Sequence, residues 1–206
     1  MTPKTRLNWN TPGALLREVD TEMFPIDAER LFNDPKYKIL GEKWCAAKFG
    51  VGYSEFFSPC EIAINSEQDS HMDFFVRTSG HEYAFQLVEA LEPDRLRGNE
   101  YKQFAAGTIT SLPYEPERGH VEGAQWIAEQ IGKKAAMKYS GSDRLNILVY
   151  ANFSARELKF RNVVEAVAKY QKSFASIWVV DEVSLASIFV ANDLGYIEGW
   201  AMFSQV

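Results

Sequence analysis

Apolar positions recur along this chain at two spacings, helical and alternating, and the switches between them outline its elements. Ile39, Leu40, Trp44 and Ala47 fall at helical spacing after Asp34-Pro35, which supplies a cap and a proline at the first helical position. A helix is therefore predicted over 35–49, ending at Gly50 and Gly52. Three extended segments follow at 60–65 (CEIAIN), 71–77 (HMDFFVR) and 82–90 (EYAFQLVEA). The last two are joined by Thr78-Ser79-Gly80-His81, a link that suits a hairpin. Val121, Ala124, Ile127, Ala128, Ile131 and Ala135 form one apolar stripe and predict a helix over about 120–139, ended by Ser140-Gly141. The run RLNILVY, 144–150, is apolar almost throughout, as befits a strand buried on both faces. A helix around 157–173 carries Val163, Val167, Tyr170 and Phe174, and the strand ASIWVVD, 175–181, then closes a β-α-β unit. The tail around Asn192-Asp193 reads as a final hairpin.

Residues 1–34, with Pro3, Pro12, Gly13 and Pro25, read as an N-terminal arm with little regular structure, and 35–206 as a single α/β domain. Between 91 and 119 the chain is polar and rich in proline, with a short helix expected near 99–106. The expected fold is an α/β three-layer sandwich around a central mixed sheet: helix, three-strand meander, helix, strand, helix, strand. Hydrophobic residues at 46% and charged residues at 24% fit a chain that folds around its own core.

The formal charge of −6 argues against coating nucleic acid through bulk charge, although it leaves room for a local basic groove. Arg95 and Arg97 with Lys133, Lys134 and Lys138 are candidates for such a rim, and the lysines equally suit a helix C-terminus. Cys45 and Cys60 have no ligand-spaced His or Cys beside them and read as two buried thiols. His71, His81 and His120 are isolated, and phosphate-loop, dinucleotide-binding and nucleophile-elbow motifs are absent. The opening MTPKTRLNWNTPG lacks the apolar stretch of a signal peptide, and no run of about 18 apolar residues occurs, so the expected location is the cytoplasm. Most tryptophans are expected in the core, and Gly195–Trp200 is the candidate exposed surface for a partner.

The acidic residues on the second and third strands give this order of elements a chemical sense. Asp73 stands in MDFFV, and Gln86 and Glu89 stand in FQLVEAL. Here the sequence resembles the PD-(D/E)XK, or restriction-endonuclease-like, superfamily over residues 35 to about 150. In that superfamily an Asp starts the second strand of the meander and an acid-x-Lys triplet lies on the third. The resemblance implies a phosphodiesterase in which a hard cation, Mg²⁺ or Mn²⁺, is held by Asp73, Gln86 and Glu89. It also implies Glu42 as a helical acid near the metal.

The triplet here is Gln86-Leu87-Val88, so an amide replaces the acid and valine replaces the lysine. Lys102, in NEYKQF, is the nearest downstream candidate for a migrated lysine. Strand alternation puts Gln86 and Val88 on one face and Glu89 on the other, so Glu89 joins Asp73 only if a bulge or the strand end turns it. A buried Gln86 must either find an internal partner or face a cleft. Two functions follow: a nuclease acting on DNA or RNA, or a catalytically inactive nuclease-fold module that binds protein or nucleic acid. The acidic balance and the missing lysine favour the second.

Overall fold

The computed structural model describes residues 7–66, 71–93, 99–100, 102–103, 106–107, 116–137 and 145–204. Proline in the first turn and apolar residues at helical spacing build α1 (Pro12–Met23), which buries Leu15, Leu16 and Val19. The segment expected to lack regular structure is thus helical here. Of the prolines that argued otherwise, Pro25 lies beyond the helix and Pro12 starts it, while Pro3 is outside the described residues. α2 (Ala28–Asn33) follows, capped by Asp27, whose Oδ1 accepts from the Arg30 N–H at 2.8 Å. A 3-10 turn, Pro35–Tyr37, leads into α3 (Lys38–Phe56).

α3 runs through Gly50 and Gly52, where the pattern predicts its end. Both glycines are packing positions. A Cβ on Gly50 would lie 2.7 Å from Pro12 Cγ, and one on Gly52 would lie 2.7 Å from the Phe203 ring. Their bare backbones let α1 and the C-terminal segment press against the helix.

Among the described residues seven strands form one mixed sheet in sequence order. β1 (Cys60–Ile64), β2 (Phe74–Thr78) and β3 (His81–Ala90) make an antiparallel meander. β4 (Asn146–Ala151) and β5 (Ser176–Val180) join in parallel, each preceded in the chain by a helix, α4 (Pro116–Ala136) and α5 (Phe160–Val167). β2 begins three residues later than the extended segment 71–77, which leaves Asp73 just ahead of the strand.

The tail hairpin predicted around Asn192-Asp193 is present as an antiparallel pair, and its first strand also pairs with β5. β6 (Ser184–Val190) turns back on β5, and β7 is only Ala201–Met202. Asp181 makes that turn by accepting from the N–H groups of Val183 and Ser184 at 2.9 and 2.6 Å.

Helices cover both faces of the sheet. On one, Leu15, Phe49 and Tyr53 pack on Phe74, Phe85, Leu148 and Trp178. On the other, Ile127, Ile131, Val163 and Val167 pack on Val88, Ile147, Val149 and Ile177. Val121 leaves the predicted stripe and is 81% exposed, because the early turns of α4 bury Gly119 and Gly123 against Phe153 instead. Two residues from either glycine is the far side of a helix.

Cys45 and Cys60 are buried thiols, and burial pushes the Cys60 thiol up to about 11. Trp126 and Trp178 are core residues, while Trp200 is half-buried with its Nε1 donating to Leu158 O; Tyr196 in the same segment is exposed. Arg95, Arg97, Lys138 and Ser140-Gly141 lie outside the described residues, as do 101, 104 and 105 of the helix expected near 99–106; its residues 99–100 and 102–103 are helical. No helix among the described residues is long and apolar enough to cross a membrane.

Ile147 is fully buried in β4, and Lys133 is exposed on α4. Ile147→Ala is expected to cost about 2–4 kcal/mol through lost burial and cavity formation, and Lys133→Ala close to nothing. Urea unfolding of the two variants checks this, and equal losses would contradict the central position of β4.

Candidate functional site

The site begins where β3 outruns β2. β2 pairs with β3 only up to Phe74 opposite Phe85, whereas β3 continues beside β4 to Ala90. Asp73 stands at this step. Its N–H donates to Phe85 O at 2.9 Å, and its Oδ2 accepts from the Leu87 N–H at 2.6 Å, so a side chain supplies the next rung of the ladder.

Beyond that rung lies a cleft of about 600 Å³. Leu87, Val88 and Glu89 bring β3 to it, and Lys38, Gly41, Glu42 and Trp44 bring α3. Lys134 enters from α4, and Met23, Leu31 and Phe32 form an apolar border from α1 and α2.

Burial raises the Asp73 carboxyl above its ordinary range. The Leu87 N–H opposes that shift, Glu42 adds to it by repulsion, and the charges of Lys134 and Lys38 oppose it. Lys38 is itself raised, chiefly by its hydrogen bond to Glu42, an ion pair of 3.1 Å. Glu89 Oε1 accepts from Asn152 Nδ2. Among the described residues five carboxylates line the cleft (Asp34, Glu42, Asp73, Glu89, Glu182) against two ammonium groups, Lys38 and Lys134. An anionic ligand entering such a cleft needs additional positive charge beside it.

The structure thus brings Asp73, Glu42 and Glu89 to one cleft. Glu89 reaches it although alternation sets it opposite Val88, because the cleft opens at the strand's edge, where residues of both faces border it. Gln86 is not part of the lining. It is 4% exposed, and its Oε1 has no hydrogen-bond partner among the described residues. Neither alternative foreseen for this amide is met at that oxygen, which leaves an unfavourable buried acceptor. Lys102 is exposed and outside the lining.

The sequence places Lys134 in a candidate basic rim or at a helix end and does not link it to Asp73. The overlooked signal is its position three residues after Ile131, on the sheet-facing side of α4, while its neighbour Lys133 faces solvent. It lines the cleft together with Val88, the position where the resemblance expects a lysine. His71, His81 and His120 are all exposed.

Among the described residues no three Asp, Glu, His or Cys side chains are grouped closely enough to hold a metal ion by themselves. Mg²⁺ asks for less: one or two carboxylates, with water and substrate phosphate completing the octahedron. Asp73 with Glu42, whose charge reaches it, would make that smaller donor set. No family model matches the chain, and no curated protein or solved structure matches it either.

Proposed function

We propose that this chain is a metal-dependent phosphodiesterase acting on nucleic acid, with a restriction-endonuclease-like three-layer fold whose lysine has moved from β3 to α4. One observation carries the reading: Asp73, Glu42 and Glu89 share a single cleft with Lys134 and Lys38 at the open end of the meander. The order helix, antiparallel meander, helix, parallel strand supports the fold assignment.

Each residue has a role that its surroundings favour. The Leu87 N–H fixes Asp73 Oδ2, so the carboxylate is oriented before any ligand arrives. Glu42, tied to Lys38, lies close enough to Asp73 to raise its carboxyl. A divalent cation bound at these carboxylates would polarise the phosphate and acidify a water. Lys134, whose charge is felt by Asp73, stabilises negative charge developing on the phosphate oxygens.

The test is cleavage of mixed single- and double-stranded DNA and RNA by the purified protein with Mg²⁺ or Mn²⁺. Lys134→Ala is expected to lower the rate by about 10²–10³ without lowering the melting temperature, as loss of one preorganised charge-stabilising group does. Lys102→Ala should cut like the wild type. Absence of cation-dependent cleavage, or equal rates for wild type and Lys134→Ala, defeats the reading.

A second reading keeps the fold without catalysis, as a module that binds nucleic acid or protein. The Gln86-Leu87-Val88 triplet, with its amide buried away from the cleft, favours it. Its mark would be cation-dependent binding of strands that are never cut.

A further inference from the structure

We propose that Gly41 forms the floor of a subsite for one unstacked nucleobase, so that the substrate is a single-stranded or frayed polynucleotide. The inference rests on the phosphodiesterase reading and names the substrate form of that same cleft. Gly41 lies inside α3, where glycine is less stable than alanine. Nothing among the described residues asks for it: a Cβ there would meet none of their atoms within 4 Å, and Gly41 is not among the glycines with positive φ. Yet it lines the cleft. The bare backbone is therefore explained by something outside the chain that approaches the helix closely.

Its neighbours say what that is. Tyr37, one turn earlier, and Trp44, one turn later, also line the cleft, so the position without a side chain is a notch between two aromatic residues on one side of the helix. Trp44 is held in place by Tyr150, edge-on at 5.5 Å and 80°, and by Lys48 Nζ, 5.2 Å from the ring centre. A flat heteroaromatic ring suits such a notch, since stacking on aromatic side chains rewards any base. The Lys38–Glu42 ion pair at its border offers both a donor and an acceptor to a base edge. Asp73 and Lys134 lie in the same cleft, where the phosphate of that nucleotide would sit. A cleft of about 600 Å³ is in the range that takes one nucleotide and is far too small for a stacked duplex. A base must leave its stack to enter, which is least costly when it is already single-stranded.

The test measures fluorescence anisotropy of three end-labelled twelve-nucleotide probes with Ca²⁺ present to slow cleavage: a single strand, the same strand made abasic throughout, and a duplex. The abasic strand and the duplex should bind at least about tenfold more weakly than the single strand. Gly41→Leu, which fills the notch, should weaken the base-bearing strand about tenfold and leave the abasic strand unchanged. Gly41→Ala should melt about 2–4 °C higher than the wild type, showing that the glycine does not serve the fold. Equal binding of the abasic and normal strands, duplex binding as tight as single-strand binding, or indifference to Gly41→Leu would overturn the subsite. Cleavage with Mg²⁺ that ignores the bases would overturn the subsite alone. Base-dependent binding without cleavage would support it and overturn the catalytic reading, and no binding of any strand would overturn both.

Discussion

Asp73→Asn is expected to raise the melting temperature of the protein in EDTA and to erase any stabilisation by Mg²⁺ or Mn²⁺. The Asp73 carboxyl is raised from its ordinary 3.8, first by burial and further by the charge of Glu42. A group raised in the folded state binds its proton more tightly there than in the unfolded chain. Between 3.8 and the higher folded value the native state therefore holds more protons, and stability falls as pH climbs through that window. Above it, the ionised carboxylate opposes folding. Asparagine keeps an oxygen for the Leu87 N–H and removes both the buried charge and its repulsion with Glu42, at the loss of the weaker attraction to Lys134 and Lys38.

A cation at the site reverses the comparison. At a hundred times its dissociation constant it stabilises the wild type by about 2.7 kcal/mol, because only the native state gathers the ligands. The neutral amide is a much poorer ligand and gains little. Thermal melts from pH 4 to 8, with EDTA and with each cation, separate the two effects. Parallel curves for wild type and variant across the pH series would mean that Asp73 carries no unfavourable charge in the fold, and equal cation shifts would remove it from the ligand set.

The elements that sequence reasoning located best are those whose signal is local. β4 and β5 are continuous apolar runs, and α4 carries a stripe that survives from Ala124 onward. The placement of Asp73 beside β3 was legible too, because the strand order β1-β2-β3 sets it there once the meander is accepted. What escaped depends on distant partners. Gly50 looks like a helix end until Pro12, far back in the chain, is seen pressed against it. Ser184–Val190 has the pattern of a tail hairpin, and only the Asp181 turn assigns it to β5. Lys134 carries nothing in its own neighbourhood that names Asp73 as its counterpart. The lining of the cleft is a property of the step between β2 and β3, and that step was hidden by a strand start placed three residues too early.

Trp178→Ala is expected to cost about 3–5 kcal/mol, the range for deleting a fully buried large aromatic. Trp178 has no exposed surface, and its ring meets Phe49 at 5.4 Å, Phe57 at 5.9 Å and Tyr53 at 6.0 Å, so α3 rests on it. Its Nε1 also donates to Ser176 Oγ at 2.8 Å, and that hydroxyl donates onward to Asn146 Oδ1 at 2.6 Å, joining β5 to β4. Alanine removes the ring and the donor together, whereas Trp178→Phe keeps most of the volume and loses mainly the hydrogen bond, a change expected to cost about 1–2 kcal/mol. Because α3 carries Gly41 and Glu42 to the cleft, the alanine variant should also lose function before it unfolds, by letting that helix settle toward the cavity. Urea unfolding with an unchanged slope, run beside the strand-binding measurement, tests both statements. A loss under 1 kcal/mol would mean that α3 is held by other contacts, and the site's geometry would then not depend on this ring.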